Sequence, residues 1–290
     1  MKLIDCVIIP ARGGSKRIKH KNMQSFCGTP MLGHSIKTAQ MVSDCVIVSS
    51  DDLEILEFAK LQGAYPLLRD KTLACDMTPT LPVITHSILP FLDKKARDFM
   101  ANRTKNLQET TDSLLKDSKQ KDKIESKKVD SKLKTHNKEE LQHAINNDMN
   151  AKIPLQISLN SKVLCLYATA MFATKDILLQ SCAMLDKNPQ AAYIVSIIEA
   201  AKVFRSFTCT DSGFLQFMFP QFMDTRSQDL PKAFFDAGQF YLGFAQSFLE
   251  NIALLGQKSM GIPLQYAHDI DTMLDLKIAE SLFTNIKGII

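Results

Sequence analysis

Short runs of Val, Ile and Leu alternate along this chain with stretches of helical spacing, and that alternation restricts the fold more than any other feature. Residues 6–9, 45–48, 163–167 and 193–197 are compact and rich in β-branched side chains, so they read as buried strands. Between them, residues 30–41, 52–62 and 175–185 set apolar side chains three and four apart, which predicts helices with one buried face. Strand, helix, strand in that order implies a mostly parallel sheet with right-handed crossovers. At 290 residues the chain can bury one large core, or form one domain with a small appendage.

The first run, residues 4–10, ends in the loop ARGGSKRIKHKN, residues 11–22. Five cations fall within ten positions there: Arg12, Lys16, Arg17, Lys19 and Lys21. Gly13 and Gly14 are expected to let the backbone turn tightly and aim N–H groups at an anion, while the cations neutralise several negative charges together. Open α/β sheets bind ligands at the C-terminal ends of their strands, and a loop of this charge placed there suits a nucleoside triphosphate. Its spacing is neither that of a GxxxxGK[ST] P-loop nor that of a GxGxxG dinucleotide loop. Read on charge alone, the same residues would make a solvated basic turn.

Composition excludes several other classes. A net charge of +4 is too small to point to nucleic acid as a partner. The seven cysteines, at positions 6, 27, 45, 75, 165, 182 and 209, are odd in number and never spaced as CxxC. That pattern argues against a disulfide framework or a thiolate zinc site, and for reduced, mostly buried thiols in a cytoplasmic protein. The apolar run before Pro10 is too short and too interrupted for a signal sequence, and no stretch approaches the roughly 20 apolar residues that span a bilayer. A soluble protein without a membrane partner is expected.

Two segments depart from the alternating pattern. In residues 203–219, two β-prone apolar runs flank Asp211, Ser212 and Gly213, a hairpin signal with Gly supplying a positive φ. Residues 102–152 hold twelve Lys and Arg against nine Asp and Glu with almost no aromatic side chains, so they have little to bury against their chain entropy. They are expected to form a flexible or weakly helical surface insertion between a helix ending near Arg97 and the strand near Val163. The nearly balanced charges favour an inert solvated segment over an anion-binding one.

The segment IIPARGGSKRIKHKN resembles the signature loop of the CMP-sialic acid synthetase family of cytidylyltransferases. Further blocks follow in family order: VIVSSDD at 46–52, LLRDKTLACDMTPT at 67–80, LYATAMF at 166–172, RSQDLP at 226–231, DAGQFY at 236–241 and DIDTMLDLKIAE at 269–280. RSQDLP and DAGQFY are most like the pseudaminic acid branch. The resemblance implies an α/β, three-layer Rossmann-like nucleotide-diphospho-sugar transferase fold covering residues 1–290 as one domain. It also implies a small dimerisation excursion over residues 199–235, and hence a homodimer. Exposed apolar residues of that excursion, such as Phe214, Phe217, Met218 and Phe222, would then form an interface; filling the protein's own core is the other reading.

The implied chemistry is transfer of CMP from CTP to the anomeric hydroxyl of a nine-carbon nonulosonic acid, with release of pyrophosphate. CTP carries about four negative charges, so attack on its α-phosphate requires that repulsion to be screened. By resemblance, Arg12 and Lys21 serve the triphosphate, with Gly13, Ser15, Lys16 and Asn22 completing the cradle, while Arg69, Thr78 and Thr80 line the cytidine pocket. Lys19 stands where relatives often carry Pro, which makes the loop less rigid.

Tyr167, Arg226, Gln228, Gln239 and Tyr241 fall in the blocks on the sugar side, with Arg226 suited to the sugar carboxylate, even from a neighbouring subunit. Met171 replaces the Pro usual in the family's YATAPF turn. Asp269 and Asp271 have the hard oxygens that Mg2+ takes, and in a strand two residues apart they would face one side together. Asp275 reads as a capping or supporting group, and His268 as a structural polar residue beside the site. No general base is evident, and a metal-lowered hydroxyl pKa would reduce the need for one.

CMP-N-acetylneuraminate or CMP-Kdo synthesis, and a non-catalytic CTP-binding regulatory module, stay open as alternatives. The reading of the insertion is testable. Replacing residues 106–147 with Gly/Ser linkers of several lengths is expected to leave a folded enzyme with CTP-dependent pyrophosphate release, because loop-closure entropy grows slowly with length. Loss of activity with every linker, despite normal CTP binding, would show that the segment serves the sugar site or subunit pairing.

Overall fold

A computed structural model describes residues 2–75, 77–117, 156–200 and 203–287. The chain opens with β1 (Cys6–Pro10), the cationic loop and a tiny hairpin of β2 (Ser25–Phe26) and β3 (Thr29–Pro30), and then enters α1 (Met31–Val42). β4 (Val46–Ser50), α2 (Leu53–Leu61), β5 (Tyr65–Leu68), α3 (Thr80–Ile88) and α4 (Lys94–Asp117) follow. The second half contains β6 (Lys162–Leu166), α5 (Lys175–Lys187), β7 (Tyr193–Glu199), β8 (Phe207–Cys209), β9 (Leu215–Phe217), β10 (Phe234–Phe244), α6 (Ala245–Leu249), β11 (Ser259–Pro263) and α7 (Met273–Lys287).

Seven strands form one sheet in the order β11, β7, β10, β6, β1, β4, β5. β6, β1, β4 and β5 run parallel, as does β11 beside β7; β10 lies antiparallel between β6 and β7. The expected parallel sheet is therefore interrupted by one long reversed strand, which the sequence reading had recognised only as the DAGQFY block. Successive residues of β1 point to opposite faces, as strand geometry requires. Val7 and Ile9 join one apolar cluster with α1, α2 and α5, whereas Cys6 and Ile8 join a second with α3, α4 and α6. Helices thus cover both faces of a sheet buried on both, giving the three-layer α/β architecture.

α1, α2 and α5 lie where helical spacing predicts them. Asp52 and Thr174 cap two of these helices, their side chains accepting from the N–H groups of Glu54 and Ile177. α4 does not end near Arg97 but continues to Asp117, so the first part of the supposed insertion is helical. Residues 118–155, the rest of that segment, lie outside the described residues. The chain is bound again at Ile157, fully buried beside Leu92 and exchanging backbone hydrogen bonds with Phe91 and Asp93.

The β8–β9 hairpin forms as expected, with Gly213 at φ 84° in its turn. Its apolar residues divide between the two readings. Phe214 and Met218 are 74% and 53% exposed, whereas Phe222 packs on Phe204 and Phe217 stacks on Phe207. All seven cysteines are free, with Cys6, Cys45, Cys165 and Cys182 buried and Cys27, Cys75 and Cys209 exposed. Among the described residues no helix is long and apolar enough to cross a membrane.

Candidate active site

A cavity of about 480 Å3 opens over the C-terminal ends of β1, β5 and β6. Arg12, Ser15, Lys16, Arg17, Lys21 and Asn22 of the loop line it together with Arg69, Thr78, Thr80 and Tyr167. The lining thus combines a cluster of cations with hydroxyls and apolar groups.

The loop is held by contacts from inside. The Asn22 side chain, 8% exposed, donates to the Arg12 carbonyl at 2.9 Å and ties the loop's ends together. Ile18, 2% exposed, plunges into a third apolar cluster with Phe26, Met31, Met171, Phe172 and Ile270. Gly13 is required for closeness rather than for a turn, since a Cβ there would meet Asp52 Oδ2 at 2.4 Å. The expectation that its N–H faces an anion is corrected: that N–H donates to Asp51 Oδ1 at 3.1 Å. Neither Gly13 nor Gly14 takes a positive φ; His20, beside Lys19, does so at 51°, so the loop's sharp turn does not depend on proline or glycine.

Arg69 reaches the cavity floor from the end of β5. It is 4% exposed and donates to the Ser49 carbonyl at 2.6 Å and to Ser49 Oγ at 3.2 Å. Burial lowers its pKa to about 10, opposed by the nearby Asp51 carboxylate, so it stays charged at neutral pH. Thr80, the first residue of α3, shares a 2.5 Å hydrogen bond with the Tyr167 hydroxyl. Tyr167 stacks edgewise on Tyr241 with ring centroids 5.9 Å apart, and the Tyr241 hydroxyl donates to Asp236. Desolvation raises both phenols well above their ordinary range, so they act here as neutral donors and acceptors.

A bulge in β10 builds that corner. The pairing with β7 shifts between Asp236 and Tyr241, and Gly238 adopts φ 61°. Ser196 Oγ accepts from the N–H groups of Gln239 and Phe240, which the bulge frees from the ladder. The Gln239 side chain is 2% exposed and accepts from the Phe172 N–H, while its own carbonyl accepts from Tyr167. Gln239 therefore shapes the wall from behind rather than facing the cavity. The turn before Phe172 closes without the family's proline, and the Met171 N–H instead donates to the Thr169 carbonyl at 2.9 Å.

The acidic pair lies on the rim, outside the cavity wall. Asp269 and Asp271 occupy an irregular segment between β11 and α7, not a strand. Asp269 is exposed and Asp271 partly so, while the Ile270 side chain between them is fully buried. Arg17 Nη1 lies 2.6 Å from Asp271 Oδ2, and Lys21 Nζ lies 3.3 Å from Asp271 Oδ1 and donates to the Ile270 carbonyl at 2.6 Å. Asp275 caps α7, accepting from the N–H groups of Asp271 and Thr272 and from the Thr272 hydroxyl. Those hydrogen bonds hold its carboxyl below the usual range. His268 Nε2 faces its other oxygen at 3.6 Å.

The sequence profile described as Cytidylyltransferase matches residues 6–156. The chain belongs to the cytidylyltransferase family. A pseudaminic acid cytidylyltransferase of Campylobacter jejuni is 30% identical over 95% of this chain and 94% of its own length. A Helicobacter pylori protein named as a pseudaminic acid cytidylyltransferase and UDP-2,4-diacetamido-2,4,6-trideoxy-beta-L-altropyranose hydrolase is 26% identical over 89% of this chain and 38% of its own length. The solved structure of CMP:2-keto-3-deoxy-manno-octonic acid synthetase complexed with CTP has TM-score 0.55 over 97% of this chain and 99% of that one. At 11% identity that likeness is one of fold.

In this cytidylyltransferase, Arg12, Ser15, Lys16, Lys21, Asn22, Arg69, Thr78 and Thr80, read from the sequence as nucleotide residues, share one cavity with Tyr167, read as a sugar-side residue. The structure does not bring Arg226 and Gln228 there; both are exposed on the excursion. Sequence reasoning gave no role to Arg17, Asp236 or Ser196. Arg17 was visible as one of the loop's five cations and Asp236 as the first residue of the DAGQFY block, whereas nothing local marked Ser196. Lys21 also proves to be more than a solvated loop cation, since it braces the acidic rim. Lys21→Ala is therefore expected to cost about 1.5–3 kcal/mol of stability, for loss of a charged hydrogen bond, and to raise the KM for CTP about tenfold or more. Thermal melts and CTP kinetics per folded molecule check both; unchanged kinetics would restrict Lys21 to bracing.

Proposed function

We propose that this cytidylyltransferase transfers CMP from CTP to the anomeric hydroxyl of a nine-carbon keto sugar acid, with pseudaminic acid the first candidate. The single observation that carries the reading is that one cavity is lined both by the cations of the loop of residues 11–22 and by Arg69, Thr78, Thr80 and Tyr167. Its volume is that of a small-molecule pocket. The triphosphate would lie against Arg12, Lys16, Arg17 and Lys21, with the cytosine edge toward the buried Arg69 fork and the threonine hydroxyls. The choice of sugar acid rests on the Campylobacter relative, which aligns along nearly the whole chain.

In the reaction, the sugar hydroxyl oxygen attacks the α-phosphorus, the bond to the bridging oxygen breaks, and pyrophosphate leaves while the hydroxyl proton passes to solvent. Loop cations offset the charge that builds on the leaving pyrophosphate. Asp269 and Asp271 supply hard oxygens two positions apart in the chain, a donor set that fits Mg2+ completed by phosphate oxygens and water. When bound, that ion would polarise the phosphate and lower the hydroxyl pKa. Tyr167 would meet the sugar, with Tyr241 and Gln239 fixing it from behind.

Arg226 and Gln228 would reach a sugar carboxylate only from a second copy of the chain. The exposed Phe207, Phe214, Phe234 and Phe235 of the excursion are the surface such a homodimer would cover.

Pyrophosphate release with CTP across several keto sugar acids, with and without Mg2+, tests the reading. Release with pseudaminic acid that requires Mg2+ is expected. Asp271→Asn should lower turnover about a hundredfold or more while leaving the fold intact. CTP binding without turnover on any keto acid would favour a regulatory module.

A further inference from the structure

Asp271 has both carboxylate oxygens taken up by cations of the phosphate loop, Arg17 at 2.6 Å and Lys21 at 3.3 Å. The two cations line the cavity and the carboxylate does not, so they stand between the nucleotide's space and the acidic rim. The three side chains differ in freedom: Lys21 and Asp271 are 21% and 27% exposed, whereas Arg17 is 69% exposed. Lys21 is further tethered by the Ile270 carbonyl. Arg17 is thus the more solvated of the two cations, held to Asp271 by one partly solvated ion pair, a kind of contact that contributes little stability.

We propose that Arg17 gates the acidic rim: it occupies Asp271 until a triphosphate draws it away, so that a divalent cation binds this rim together with the nucleotide and not before it. This rests on the reading of Asp269 and Asp271 as metal ligands. The physical basis is charge competition. A divalent cation brought to Asp271 while Arg17 and Lys21 sit on the same carboxylate meets two positive charges at short range. A triphosphate, with about four negative charges, offers Arg17 better partners than one carboxylate and also supplies ligands for the incoming ion. Arg17 would therefore bind phosphate in the loaded enzyme and Asp271 in the free one. The two ligands would promote one another's binding reciprocally.

One substitution separates this device from an ordinary phosphate contact, because its two effects have opposite signs. In Arg17→Gln, binding of Mn2+ alone to the nucleotide-free protein, followed by calorimetry or by the free-ion paramagnetic signal, is expected to tighten about tenfold over the unsubstituted enzyme. Binding of CTP in excess EDTA is expected to weaken about fivefold or more. Arg17→Lys keeps the charge and should return both constants toward the original values. Arg17 is mostly exposed, so neither change threatens the fold.

If Arg17→Gln weakens both ligands or leaves Mn2+ binding unchanged, the gate is overturned, and the metal reading survives provided Asp271→Asn abolishes Mn2+ binding in the presence of CTP. If Asp271→Asn leaves Mn2+ binding intact with CTP present, the metal reading itself fails and the gate fails with it.

Discussion

The active end of this molecule depends on a small apolar cluster distinct from the two that cover the faces of the sheet. Ile18 of the cationic loop and Ile270 of the acidic segment are both buried in it, beside Phe26, Met31, Met171 and Phe172. Neither segment has regular structure that would otherwise fix it. The loop follows β1 and the acidic segment precedes α7, more than 250 residues later in the chain, so only shared burial brings them together. Each isoleucine is flanked by polar residues that must face outward when it turns in. Arg17 and Lys19 flank Ile18, and Asp269 and Asp271 flank Ile270. Hydrophobic burial thus decides where opposite charges meet, and the ion pairs of Arg17 and Lys21 with Asp271 follow from it. Burying an isoleucine contributes about 1.5–3 kcal/mol, more than a solvated ion pair does.

The other wall of the cavity has a different physical origin. The bulge in β10 releases backbone groups that Ser196 and the Asp236 carboxylate recapture, and the same distortion carries Tyr241 behind Tyr167. The Tyr167 phenol and the Thr80 hydroxyl then line the cavity, backed by the buried Tyr241. This wall is braced by hydrogen bonds between its own groups, whereas Arg17 of the cationic loop is largely solvated.

Much of this was legible in the sequence where local pattern and fold agree. The Val- and Ile-rich runs became β1, β4, β6 and β7 because strands buried on both faces need uninterrupted apolar residues. β10 escaped that reading: its Phe234 and Phe235 are exposed, and its Gly238 interrupts the pattern, so no single periodicity spans it. α4 was read as ending too soon because its polar second half lacks the apolar stripe expected of a packed helix. The cations of the loop were evident from spacing alone. Their engagement with Asp271 was not, since nothing in either segment reports a contact across 254 positions. Gly13 was expected for a tight turn that aims N–H groups at an anion; what excludes a side chain there is the close approach of Asp52.

The central claim is that burial of Ile18 and Ile270 in one cluster aligns the cationic and acidic walls for CTP. Ile270→Ala tests it most directly, because the substitution removes no charge and no hydrogen-bonding group. Truncating a buried isoleucine costs about 2–5 kcal/mol, so kcat/KM for CTP must be measured per folded molecule, with the folded fraction taken from circular dichroism. The account predicts a fall of about tenfold or more beyond any loss of folded protein. An unchanged kcat/KM for the folded fraction would contradict it, showing that the two walls find each other without their apolar anchor.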